Sequence, residues 1–121
     1  MYKTNLYCSL KKKAVKRTLH AEISLIPIGT GATSISKEVA LAFDAIRKTY
    51  GVRTTNLTAM GTQIEADNMM AIFNAIDAAH RAVRSVGVKR IASNIKISER
   101  LDASRTLEGE VGSVTDKLTG R

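Results

Sequence analysis

The chain has 121 residues, of which 44% are hydrophobic and 25% charged, the balance of one globular domain rather than of a disordered or fibrous protein. Its single cysteine, Cys8, excludes an intramolecular disulfide and has no Cys or His neighbour at metal-ligand spacing, so neither a secreted disulfide scaffold nor a zinc site is expected. The formal charge of +8 is localised: residues 1–19 carry six basic side chains and no acid, whereas residues 20–121 carry 13 basic and 11 acidic ones.

In chain order, residues 1–19 read as a basic N-terminal extension. Its Lys and Arg side chains suit contact with RNA, DNA or an anionic surface; the favoured reading is a solvated extension, and an added strand using Tyr2, Leu6, Tyr7 and Leu10 is a third. From His20, Ala21, Ile23, Leu25 and Pro27 alternate with Glu22, Ser24 and Ile26, the period of a strand ending at the only proline. The loop Gly29 to Ser34 follows, and Ser34 or Ser36 can cap a helix with the stripe Val39, Ala42, Phe43, Ile46 and Tyr50, stopped at Gly51. Arg53 to Thr58 is β-branched but polar, as suits an edge strand, and a short turn joins it to Met60–Glu65 as a hairpin. Asp67 can cap a second helix with the stripe Met69, Ile72, Phe73, Ile76, Ala79, Val83 and Val86, ended by Gly87. Val88 to Ile97 is the last strand, with Ile91, Ser93, Ile95 and Ile97 on one face and Arg90, Ala92, Asn94 and Lys96 on the other. Beyond a polar stretch, Val111, Val114 and Leu118 recur at helical spacing and predict a short final helix.

Strand, helix, hairpin, helix, strand is the split βαβ order: a ferredoxin-like α+β domain, residues 20–121, with two helices on one face of a four-stranded antiparallel sheet. The outward set Ser24, Ile26, Gln63, Glu65, Asn94 and Lys96 mixes apolar and polar side chains, which suits a face covered by another subunit. A domain of this size has little room for a deep private pocket, so a ligand site between subunits is expected. No apolar run approaches the roughly 20 residues of a membrane span, and no signal-peptide core follows the basic segment, so the expected location is cytoplasmic.

No motif taken alone fixes an activity. Gly29-Thr30-Gly31 opens a helix, where free N–H groups favour an anion, yet it fits neither the dinucleotide nor the P-loop pattern and serves equally as a structural turn. Glu65, at a strand end, reads equally as a partner for a cationic ligand or as a solvated carboxylate. His80, in line with Phe73 and Ile76, reads as half-buried with a hydrogen-bond partner. Lys96, Glu99, Arg100 and Asp102 read as surface or intersubunit ion pairs. Nothing provides a nucleophile beside a base, paired carboxylates or metal-ligand spacing, so no catalytic residue, metal or cofactor is expected.

The order and spacing of Pro27-Ile28-Gly29-Thr30-Gly31, Met60-Gly61-Thr62 with Glu65, His80, Gly87 with Lys89-Arg90, and Ile95-Lys96-Ile97 with Arg100 and Asp102 resemble the small thiamine-binding protein family across about residues 20–118. The resemblance implies a ferredoxin-like protomer that pairs its sheet with another's, giving dimers and then tetramers, and non-enzymatic binding of thiamine or its hydroxymethylpyrimidine moiety. On this reading Glu65 faces the thiazolium cation, Ser24, Thr62 and Asn94 bond the pyrimidine, and Ile26, Ile28 and Met60 supply apolar contact, with Gly29, Thr30 and Lys96 completing the ligand set. Strand alternation puts Met60 and Thr62 on the face opposite Glu65 unless a bulge or the strand end re-aims them. Ala66 and Ser98 depart from the glycine and aspartate common in the family at those points.

Other function classes stay open at this stage. A regulatory or scaffolding oligomer binding another metabolite or anion is one, because fold does not fix function. Nucleic-acid contact through the basic arm is another, although strands Ile23–Pro27 and Gly61–Glu65 carry none of the aromatics on which RNA-recognition domains stack bases.

Overall fold

The computed structural model describes residues 17–120. Expectations for the basic arm before Arg17 lie outside those residues. Strand β1 (Leu19–Ile28), helix α1 (Ser36–Arg47), strands β2 (Val52–Thr58) and β3 (Gly61–Ala66), helix α2 (Met69–Arg84), strand β4 (Arg90–Glu99) and helix α3 (Leu107–Leu118) follow in order. The four strands form one antiparallel sheet in the order β2-β3-β1-β4, giving the ferredoxin-like α+β fold with a third helix.

Alternation decides which face is covered. Leu19, Ala21, Ile23 and Leu25 of β1 are buried, and their cross-strand partners Ala66, Ile64 and Thr62 of β3 are buried with them on the α1–α2 side. Ile91 and Ile95 of β4 pack against this core from the edge, as the isoleucine face predicts. Helix α1 contributes Ala42 and Ile46, and α2 contributes Ala71, Ile72, Ala75, Ala79 and Val83. Alanines at every fourth position of α2 let the two helices approach closely, while Ile46, Ile64, Ile72 and Val83 fill the volume between the layers.

Several local details differ from the sequence reading. Tyr50 and Val86 lie past the ends of α1 and α2 and are exposed, and Phe73 is half exposed because the buried face of α2 centres on Ala71, Ile72, Ala75, Ala79 and Val83. Neither Ser34 nor Ser36 caps α1: Ile35 occupies the cap position with no side-chain bond. Asn68, not Asp67, caps α2, accepting the Ala71 N–H at 2.9 Å. Asp67 instead lies 2.6 Å from Arg53 Nε, an ionic contact without hydrogen-bond alignment, while Arg53 also donates to Thr18 Oγ1 at 2.7 Å. The fold starts before His20, since Leu19 is paired with both Ala66 and Glu99.

Gly51 turns the chain from α1 into β2 at φ +90°, and a Cβ there would sit 2.8 Å from the Cβ of Ala71. Gly87 has a similar φ of +91° but open space around it. Gly51→Ala is therefore expected to lower the unfolding free energy by about 2–3 kcal/mol and Gly87→Ala by about 1 kcal/mol, the difference being the steric clash. Urea denaturation of the two variants measures it.

Candidate binding cleft

The cleft originates in a mismatch of strand lengths. β3 pairs with β1 only as far as Thr62 opposite Ile23, because the chain turns back through Ala59 and Met60 into β2. β1 runs five residues further, Ser24 to Ile28, paired there with β4 alone. Among the described residues its backbone groups on the hairpin side have no strand partner over that length, and Pro27, which has no N–H to give, is tolerated in a stretch bonded on one side. Thr58 fixes the turn, donating its hydroxyl to Gly61 O at 2.7 Å and accepting the Gly61 N–H at 3.1 Å. Gly61 sits so close to β1 that a Cβ would lie 3.1 Å from Ile23 O.

Helix α1 closes the space beside this step. The result is a cavity of about 190 Å³ bounded by β1 from Ile23 to Ile26, by Thr58 to Thr62, and by Ile35, Val39, Ala42 and Ile46. None of these side chains titrates. Thr62 is only 4% exposed, and its hydroxyl, which makes no hydrogen bond among the described residues, opens onto the cavity as a donor and acceptor at the wall. The cleft thus offers apolar walls, an uncommitted hydroxyl and an unpaired strand edge, which suit a flat ring with its own donors and acceptors.

The sequence-predicted residues fall into two groups. Ser24, Ile26, Met60 and Thr62 meet at the cleft. Thr62 points to the helix side, opposite Glu65, and Met60 reaches the cleft only because the hairpin turn re-aims it. Ile28, Gly29 and Thr30 lead the chain out of β1 above it, with Gly29 and Gly31 at φ +82° and +80°. Asn94 stands opposite Ser24, and Lys96 opposite Glu22, all four on the open sheet face. Glu65 lies three residues down β3 from Thr62, about 10 Å along the strand.

Glu65 has a different environment. It is 5% exposed and accepts the Leu107 N–H through Oε2, so its carboxylate binds the positive N-terminal end of α3. Thr106 caps the same end by accepting the Gly109 N–H at 2.9 Å. His20, opposite Glu65, lies with Nε2 2.7 Å from Arg105 O; a carbonyl only accepts, so Nε2 carries the proton. Ser104 adds a hydroxyl bond to Thr18 at 3.0 Å. These polar contacts seat α3 on the open sheet face over a second crevice of about 300 Å³, whose walls include Glu22, Gln63, Lys96 and Ser98. Among the described residues no group of three or more His, Cys, Asp or Glu side chains is placed to hold a metal, and no helix is long and apolar enough to cross a membrane.

The remaining polar residues are structural. His80 is half-buried, with Nε2 3.0 Å from Ser93 Oγ. Glu99 pairs with Arg17 at 2.8 Å, and Arg100 donates to Asp102 at 2.7 Å, holding that exposed carboxyl below its usual range. Sequence reasoning missed Ile35, Val39 and Thr58 as cleft walls and His20 as an anchor of α3. The first two carry no signal beyond apolar helix residues, and the wall they form depends on where β3 stops.

Fold and cleft together define an α+β small-molecule-binding domain. The profile of the family described as thiamine-binding protein matches residues 21–115, and the chain belongs to that family. It is 41% identical over 98 residues to a UPF0045 protein of Methanothermobacter thermautotrophicus, covering 81% of this chain and 97% of the relative. It is 36% identical over 100 residues to the UPF0045 protein YqgV of Bacillus subtilis, covering 81% and 95%. Among solved structures it is similar to the hypothetical protein MJ1052 of Methanocaldococcus jannaschii, with a TM-score of 0.73, 34% identity, and coverage of 83% of this chain and 98% of that one.

Replacing Glu65 by Gln keeps the shape but removes the charge at the α3 N-terminus. The expected loss is about 1 kcal/mol of stability, with faster amide exchange confined to the first turn of α3. Exchange accelerated equally across β3 and α2 would contradict the anchoring role.

Proposed function

We propose that the protein binds thiamine or its hydroxymethylpyrimidine moiety without transforming it, and that the aminopyrimidine ring enters the cleft between β1, the β2–β3 turn and α1. The observation that carries this reading is the Thr62 hydroxyl, which faces the cavity without a hydrogen bond among the described residues and stands beside the β1 edge that β3 leaves uncovered. An aminopyrimidine presents ring nitrogens and an amino group along its edge and apolar faces above and below. Thr62 and the β1 backbone match the edge, and Ile26, Val39 and Met60 match the faces. Membership of the thiamine-binding family supports the choice of ring.

The side chains that line the cleft among the described residues are apolar or hydroxyl-bearing, and none titrates. The hydroxyethyl and thiazolium end lies at the mouth, toward Ile28, Gly29 and Thr30 on one side and toward Ser24, Asn94 and Lys96 on the other. In this reading Glu65 serves the ligand through α3, whose seat borders the same sheet face, and a direct contact with the cation needs Leu107 to release it. Ile26 and Ile28 are each 43% exposed on that face, and self-association that covers them supplies the outer wall of the site in a homo-oligomer.

Calorimetric titration tests the reading. Hydroxymethylpyrimidine and thiamine are expected to bind saturably, and Thr62→Val, which keeps the shape and removes the hydroxyl, is expected to weaken both about tenfold, the worth of one buried hydrogen bond. Glu65→Gln is expected to change the affinity by less than about threefold, since its effect passes through α3. Absence of binding by the folded wild type, or equal affinity for Thr62→Val, contradicts the proposal.

A further inference from the structure

Glu38, in the first turn of α1, is 8% exposed, yet it makes no hydrogen bond or ion pair among the described residues. Its carboxylate is not sealed in. Among the described residues the one side-chain polar atom shut away from solvent without a hydrogen-bond partner is Asp67 Oδ1, so the Glu38 oxygens keep an opening. The stem of the side chain is packed and its charged head is left free.

Helix geometry puts that head at the end of the cleft. Glu38 lies three residues after Ile35 and four before Ala42, both walls of the cleft, and so shares their side of the helix. Helical side chains lean toward the N-terminus, which carries the carboxylate toward the turn of Ile35, where the loop from Gly29 to Ser34 arrives from β1. This is the mouth of the cleft, past Ile28. Lys37, next to Glu38 in the chain, is exposed and lies on the opposite side of α1. Arg90, paired with Ile28, is on the open sheet face, beyond β1. Neither Ile23 to Ile35 nor Thr58 to Thr62 contains a charged residue, so Glu38 supplies the charge at this end.

We propose that Glu38 is the cation contact of the site: with the pyrimidine in the cleft, its carboxylate faces the positive ring at the mouth and selects cationic two-ring ligands over neutral ones. The inference rests on the ring-binding reading of the cleft. A cavity of about 190 Å³ is smaller than the sites that hold drug-sized molecules and takes one substituted ring, so a second ring stands outside it. A single methylene bridge, as in thiamine, keeps that ring within side-chain reach of the mouth. Glu65, the other buried carboxylate, is committed to the Leu107 N–H and faces the opposite side of the sheet. A carboxylate with a packed stem meets a cation where water screens the attraction less than at an open surface.

Calorimetric titration of the full chain tests it with three probes: hydroxymethylpyrimidine, thiamine, and the neutral thiamine isostere in which carbon replaces the thiazolium nitrogen. The wild type is expected to bind thiamine about tenfold more tightly than the isostere. Glu38→Gln keeps the stem and removes the charge. It is expected to bring that ratio to within about twofold of one while leaving the affinity for hydroxymethylpyrimidine unchanged, which also shows that the variant is folded. Glu38→Asp, which withdraws the charge by one methylene, is expected to give an intermediate ratio, and Glu65→Gln the wild-type ratio. A wild type that binds hydroxymethylpyrimidine without distinguishing thiamine from its isostere overturns the cation contact and leaves the ring site standing. So does a wild-type ratio in both Glu38 variants, an equal loss of all three probes by folded Glu38→Gln, or loss of the ratio in Glu65→Gln. Binding of none of the probes by the wild type overturns the ring site and the cation contact together.

Discussion

The early end of β3 is the constraint on which the rest of this molecule depends. Gly61 packs against the backbone of β1 at Ile23, Thr58 pins the turn, and the hairpin reverses before β3 has covered the second half of β1. Had β3 continued alongside Ser24 to Ile28, the sheet would be closed there and α1 would rest on it with no space beneath. Because it stops, β1 keeps an edge unpaired among the described residues, the Thr62 hydroxyl opens onto the cavity, and Ile35 at the α1 cap and Val39 of α1 face a void rather than a strand. A hydroxyl open to a largely apolar cavity is a group that a ligand with a matching donor or acceptor can engage.

The opposite end of the sheet is closed by polar contacts rather than by burial. α3 has no buried residue, and its seat is made of the Glu65 carboxylate, His20, Thr18 and the Thr106 cap. Such a helix is held at its N-terminal end, and Leu107 and Val111 look into the crevice it shares with the open sheet face. His20 and Glu65 stand side by side across β1 and β3 on that face.

Most of the fold was legible because the periods were clean. Alternation along β1 and β4 separated the core face from the open one, and Gly51 and Gly87 marked the helix ends where positive φ is required. The errors were local and physical. Cap positions went to Asn68 and Ile35 rather than Asp67 and Ser34, because Asp67 is held by Arg53 from the neighbouring strand and the loop delivers Ile35 to the helix start. The site was less legible. Ser24, Ile26, Met60 and Thr62 do meet, but the reason is a strand end and a turn, features that periodicity cannot locate to the residue. Glu65 reads from sequence equally as a partner for a cationic ligand or as a solvated carboxylate at a strand end; its burial follows from α3 folding back over the sheet, a tertiary contact 42 residues away in sequence.

The central claim is that a ring ligand sits at the β1–β3 step rather than under α3. Backbone amide chemical shifts of isotope-labelled protein, followed during titration with hydroxymethylpyrimidine, test it most directly. The account predicts that the largest shifts fall on Ser24 to Ile28, excluding Pro27, and on Thr58 to Thr62, with small changes elsewhere. Shifts concentrated on His20, Gln63, Lys96 and the first turn of α3, with the β1 edge unchanged, would contradict it.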